Sequence, residues 1–215
     1  MKNLLFKEFK LAMHPSVYFF LLCAALLLIP SWPYVIAFGY IFIGIMNMLI
    51  YARANQDILF TVFLPIRKRD VVRARVYAIA TIELVQVIAA VPFAILRNAI
   101  YGYENQAGMN LNAAFFGFIL IMYALFNIIL FPMFFKNGYK PGIPMALAVI
   151  ATLVFFGLVE TAMHTIPVLT ANLNALDAQH LVYQLPVLAA GIVLFALFTL
   201  LSSRMAEKNF EKVDL

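Results

Sequence analysis

The sequence predicts an all-α integral membrane protein of six transmembrane helices, with an N-terminal interfacial elbow helix and a short cytoplasmic helix between spans 2 and 3. Three observations carry this reading. Hydrophobic residues make up 65% of the chain and charged ones 12%, with a mean hydropathy of +0.96, which is more apolar surface than a soluble domain of ordinary shape can cover. The charged residues gather at the junctions between long apolar runs. A basic insert, residues 55–77 (NQDILFTVFLPIRKRDVVRARVY), interrupts two of those runs and, with Arg53 just before it, holds six of the fifteen Lys and Arg.

Residues 1–14 interleave Leu4, Leu5, Phe6, Phe9, Leu11 and Met13 with Lys2, Lys7, Glu8 and Lys10, the pattern of a helix lying in the headgroup layer. No small-residue cleavage site follows, so this elbow is expected to stay on the chain. Residues 15–52 hold no charged side chain. At ~1.5 Å per residue such a run is nearly twice as long as a ~30 Å hydrocarbon core, so it must fold back on itself. Pro30 and Pro33 place the turn, giving spans at about 16–30 and 33–51, with Trp32 and Tyr34 at interfacial depth. The remaining spans fall at about 76–96, 111–135, 143–166 and 181–201.

Within the insert, segment 54–70 reads as helix, break, helix. Asp57 to Leu64 is apolar enough to bind a surface, Pro65 ends that helix, and Asp70 is placed to cap the next span. The apolar side chains Ile58, Leu59, Phe60, Val62 and Phe63 either dock on a partner or lie in lipid.

With the N-terminus in the cytoplasm, fourteen of the fifteen Lys and Arg fall inside and only Arg97 outside. Inverting the chain would reverse this, so both termini are expected to be cytoplasmic. The same distribution argues against nucleic acid, because the charges lie at separate junctions and form no single basic face. No repeat or linker divides residues 1–215, so one membrane domain is expected.

The chemistry of an enzyme is not legible. There is no Gly-Lys pair for a phosphate-cradling loop and no HExxH, so neither a catalytic residue nor a metal ligand set is predicted. The lone Cys23 sits in an apolar run and reads as packing. Two carboxylates fall inside spans, where an ionisable group is a functional candidate because lipid exposure is costly. Glu83 has Gln86 and Thr81 nearby, and Glu160 lies four residues before His164, on the same helix face. Glu83, Gln86, Glu160 and His164 are therefore the candidates for a pathway or gate. Asn47 and Asn127 read as interhelical hydrogen-bond partners, and Ala113 with Gly117 as a close helix contact.

The succession Asp57, Leu59, Leu64, Pro65, Ile66, Arg67, Lys68, Arg69, Asp70, Val71, Val72, Arg75, Tyr77 resembles the segment after the second span in permease subunits of the ABC-2 type exporter family. Arg75 stands where Lys is usual, and Val76 intervenes before Tyr77. The elbow, the six spans and the charged tail extend the resemblance over the whole chain, nearest to the small permeases that export phenol-soluble modulins and bacteriocin-like peptides. The resemblance implies a multi-pass protein of the bacterial cytoplasmic membrane, working as a homodimer or with a similar permease. It implies two copies of a separate ATPase, which would hold ATP and Mg, with no cofactor bound by this chain. The helix after span 2 would be the coupling helix, with Asp57, Ile58, Leu59, Phe60, Val62, Phe63, Leu64, Pro65 and Arg67 as ATPase-coupling residues. An amphipathic or apolar substrate, foremost a peptide, would be exported. The alternative is a six-span substrate-binding component of a vitamin or metal uptake system, or a small self-contained carrier.

Overall fold

The computed structural model describes residues 1–102 and 104–212, and among these there are helices and turns but no strand. Five helices are long and apolar enough to cross a bilayer: α3 (Val35–Ala54), α5 (Lys68–Tyr101), α6 (Ala113–Lys136), α7 (Gly142–Thr165) and α9 (Leu181–Glu211). A sixth crossing is counted if the bent N-terminal pair is one span.

That pair begins with α1 (Lys2–Lys7), which widens into a π-type turn over Glu8–Ala12. The chain then bends by 88° into α2 (Pro15–Leu21). Pro15 suits the first helical position because its missing N–H would have had no partner there, and His14 Nδ1 accepts from the Ser16 N–H at 3.2 Å. From Leu22 to Leu28 the helix tightens to a 3-10 form, whose rise of ~2 Å per residue lets a short run cover more depth. Ser31, at φ 55°, turns the chain between Pro30 and Pro33.

After α3, Gln56 at φ 51° reverses the chain into α4 (Asp57–Phe63). Leu64 is extended, as the residue before a proline tends to be, and Lys68 starts α5. Here one expectation is corrected. The cap position of α5 belongs to Arg67, with φ −71° and ψ 133°, and Asp70 lies inside the first turn. The extended stretch after Pro65 lets the helix start earlier, and Asp70 instead places its charge against the positive end of the helix dipole.

Two helices outrun the spans expected of them. α5 has 34 residues, roughly 51 Å at 1.5 Å per residue, and α9 continues to Glu211. Gly102, at φ 62°, closes α5. Asn112 caps α6 by accepting from the Phe115 N–H at 3.0 Å. Between α7 and α9 lies a further short helix, α8 (Pro167–Leu173).

α6 and α9 run parallel in close contact. A Cβ on Gly117 would lie 2.6 Å from the Val187 carbonyl oxygen, and one on Gly191 would strike the Gly117 carbonyl. Only glycine at both positions lets the backbones approach this far. Around this pair the core is built of aromatic rings, among them Phe42 stacked on Phe126 at 4.1 Å and Phe38 edge-on to Phe115 at 5.8 Å. The elbow, α4, the start of α5 and the ends of α6 and α9 gather at one end of the bundle, called here the basic end.

Candidate functional site

The basic end is organised by Arg75, two turns into α5. Its side chain is 1% exposed, so its charge would be costly without partners. Its Nε pairs with Glu8 in the π-type turn, and its Nη2 donates to Asp57 Oδ2 at 2.5 Å and to Glu8 Oε1 at 3.3 Å. Lys7 completes the cluster. Its Nζ lies 2.5 Å from Asp57 Oδ1 and 3.3 Å from Glu8 Oε1, and donates to Thr61 Oγ1 at 2.9 Å. Two cations face two anions, so the cluster is neutral while it joins elbow, α4 and α5. Burial pushes the Asp57 carboxyl up, but Arg75 and Lys7 outweigh it and hold the group below the ordinary carboxylate range.

This anchoring decides what α4 presents. Ile58 and Thr61 turn inward, at 3% and 2% exposure, and Leu59 and Val62 are half-buried. Phe60 and Phe63 point outward at 67% and 80%, flanked by exposed Leu64, Pro65 and Arg67. Of the nine coupling residues expected, Asp57 and Ile58 therefore fasten the helix to its own chain, and the phenylalanines form its open surface.

The start of α5 also grips α9. Arg73 donates from Nε and Nη2 to the two carboxylate oxygens of Glu207 at 2.8 and 2.9 Å, and Ser203 Oγ donates to the same carboxylate at 3.1 Å. One turn away Arg69 pairs with Glu211 at 2.5 Å. Asn209 Nδ2 then donates to the Pro132 carbonyl of α6 at 2.9 Å. A displacement of α4 would thus reach α5 through Asp57–Arg75 and α9 through Arg73–Glu207.

Deeper in the bundle, Glu83 and Gln86 are fully buried. Asn127 Nδ2 donates to Glu83 Oε2 at 2.7 Å and to Thr199 Oγ1 at 3.4 Å, joining α5, α6 and α9. Gln86 donates to the Ala37 carbonyl at 3.0 Å and accepts from the Tyr123 hydroxyl at 2.6 Å. Thr81, expected beside Glu83, lies on the exposed side and donates to its own helix at Tyr77. Asn47 reaches Ser16 Oγ at 3.3 Å, the interhelical role expected of it.

Between α3, α6 and α7 lies a groove of about 600 Å³. Its walls carry Phe42, Met46, Met122, Met145 and Phe156, and Glu160 lies at its end away from the basic pole. Gly39 and Gly157 face open space there, with no atom within 4 Å of where a Cβ would stand. Glu160 accepts from the Met109 N–H at 3.1 Å, and His164 Nδ1 lies 3.9 Å from its other oxygen. Nearby asparagines pin the polar connections: Asn105 donates to the Trp32 carbonyl at 3.1 Å and Asn112 to the Leu173 carbonyl at 2.8 Å. The lone cation expected at this end, Arg97, is buried and lies 5.7 Å from the Tyr34 ring centre. Among the described residues no three His, Cys, Asp or Glu gather as metal ligands.

The charge cluster and the α5–α9 clamp were not foreseen from the sequence, but both left signals. Arg75 interrupts an apolar helix face that includes Val71 and Ile79, four residues to either side. Arg69 and Arg73 repeat at the same spacing as Glu207 and Glu211, two stripes of opposite charge.

Long apolar helices, with a charged end that holds a short helix outward, define a multi-pass membrane protein. A family model described as ABC-2 family transporter protein matches residues 3–211, and the chain belongs to that family. Membership is consistent with a permease of an ABC transporter and implies partnership with an ABC ATPase; permeases of this family are generally non-catalytic. Comparison with curated proteins and with solved structures returns no match.

Proposed function

We propose that the chain is the transmembrane permease subunit of an ATP-driven exporter, coupled to a separate ATPase and moving amphipathic peptides. The observation that carries this reading is the outward pair Phe60 and Phe63, 67% and 80% exposed on a helix whose other side is fastened by ions to the elbow and α5. An apolar surface on a rigid mount is suited to burial in a partner's groove and to transmitting the partner's movement. The basic end, with fourteen of the fifteen Lys and Arg, is read as cytoplasmic, which puts α4 where an ATPase can reach it.

In this reading α1 with its π-type turn is the elbow, α4 is the coupling helix, and the bent N-terminal segment supplies the sixth span. Two permease copies sit on two ATPase subunits in the bacterial cytoplasmic membrane, with both termini inside. ATP and Mg bind to the ATPase. Its closure moves α4, and the Asp57–Arg75 and Arg73–Glu207 contacts carry that movement to α5 and α9. The groove between α3, α6 and α7 receives the substrate, where the flexible side chains of Met46, Met122 and Met145 adapt to peptides of different sequence.

The test is Phe60→Asp and Phe63→Asp, each co-expressed with the ATPase. Both variants should insert in the membrane and fail to retain the ATPase on purification. Normal co-purification with both would overturn the assignment.

A further inference from the structure

We propose that Glu83 is a carboxylic acid that keeps its proton, and that with Asn127 it forms a buried proton-binding latch between α5 and α6. Both side chains are fully buried. The Asn127 amide has two N–H groups, and both are used, one on Glu83 Oε2 at 2.7 Å and one on Thr199 Oγ1 at 3.4 Å. That leaves two acceptors, Glu83 Oε1 and Asn127 Oδ1, buried and without a hydrogen-bond partner. Buried polar atoms are nearly always satisfied. A carboxyl and a carboxamide have the same planar shape, so once one N–H···O bond joins them their remaining oxygens can lie side by side. A single proton on Glu83 then serves both, and the pair closes into a ring with two hydrogen bonds.

Turning the amide over leads to the same result. It would put Oδ1 in the place of Nδ2, 2.7 Å from Glu83 Oε2, a contact that also needs a proton between the oxygens. Nothing around the pair supplies a balancing cation. Among the described residues Glu83 has no ion pair; α6 offers the neutral Tyr123, committed to Gln86 and the Phe38 carbonyl, and α9 offers Thr199 and Ser202. Glu83 therefore acts as a neutral fastener whose proton holds α5 against α6, and α6 extends the chain of bonds to α9. This holds whatever substrate the protein carries.

Infrared spectroscopy of the full-length protein in lipid nanodiscs at neutral pH tests it. A protonated-acid carbonyl band should be present, should shift on ¹³C-glutamate labelling, should persist in Glu160→Gln and should vanish in Glu83→Gln. Glu83→Gln should melt with the parent protein, because its amide N–H replaces the acid O–H toward Asn127, whereas Asn127→Leu should melt several degrees lower. Absence of the band in the unmodified protein, its survival in Glu83→Gln, or a Glu83→Gln variant as unstable as Asn127→Leu would each overturn the latch.

Discussion

Replacing Arg75 by Met removes the buried member of the two cations, Arg75 and Lys7, that each touch both carboxylates of the charge cluster. Glu8, 1% exposed, would keep only Lys7 Nζ at 3.3 Å, and Asp57 only the same ammonium at 2.5 Å. Breaking a buried ion pair from one side costs about 3–5 kcal/mol, because the partner is left charged and desolvated. For a chain of this size each kcal/mol moves the midpoint by roughly 2–4 °C, so Arg75→Met should melt about 6–20 °C below the parent protein. Lys7→Met is the comparison. Both Glu8 and Asp57 keep Arg75 when Lys7 is lost, so no carboxylate is stranded and the drop should be smaller than that of Arg75→Met. Adding Glu8→Gln to Arg75→Met should recover part of the drop, since removing both members leaves no stranded charge there. The assay is thermal unfolding of purified protein in one detergent, with ATPase retention measured in parallel. An Arg75→Met protein that melts no lower than Lys7→Met would refute the claim that this cluster holds the basic end together.

Two further outcomes follow from the same geometry. The Asp57 carboxyl is held below the ordinary carboxylate range, so its share of stability is complete above about pH 4 and is lost as the pH falls through the lowered folded-state value. Melting followed from pH 7 down to pH 3 should show that acid decline, and Asp57→Asn should remove part of it. In the groove, Gly157→Phe adds a ring where no atom lies within 4 Å of the Cβ position, so it should leave the melting temperature unchanged while reducing peptide export, measured in the same cells.

The sequence was informative where single residues dictate backbone geometry or where charge marks a boundary. Pro30 with Pro33 turns the chain, Pro65 ends α4, and Arg53, Lys136 and Lys140 mark the C-terminal ends of α3 and α6 and the start of α7. It was less informative about helix ends that depend on distant partners. α5 begins at Lys68 and α9 runs on to Glu211 because Arg69, Arg73, Glu207 and Glu211 meet in space, and no window along the chain contains both sides of those pairs. Segment Leu22–Leu28 is apolar throughout, so its pattern cannot separate a 3-10 helix from an α-helix. At the site, Phe60 and Phe63 were visible as apolar residues in a charged insert. The fastening of Asp57 and the inward turn of Ile58 were not, because both depend on an elbow roughly fifty residues earlier in the chain.

The proposed function requires the Phe60–Phe63 face of α4 to lie inside the cell and to be covered by an ATPase. Cys23 is the chain's sole cysteine, so Phe63→Cys in a Cys23→Ala background gives a single reporter. It is to be treated with a membrane-impermeant thiol reagent in intact cells and in inside-out vesicles, with and without the ATPase. No labelling is expected in intact cells, full labelling in vesicles lacking the ATPase, and protection when the ATPase is present. Labelling in intact cells, or equal labelling of vesicles with and without the ATPase, would contradict the proposed function.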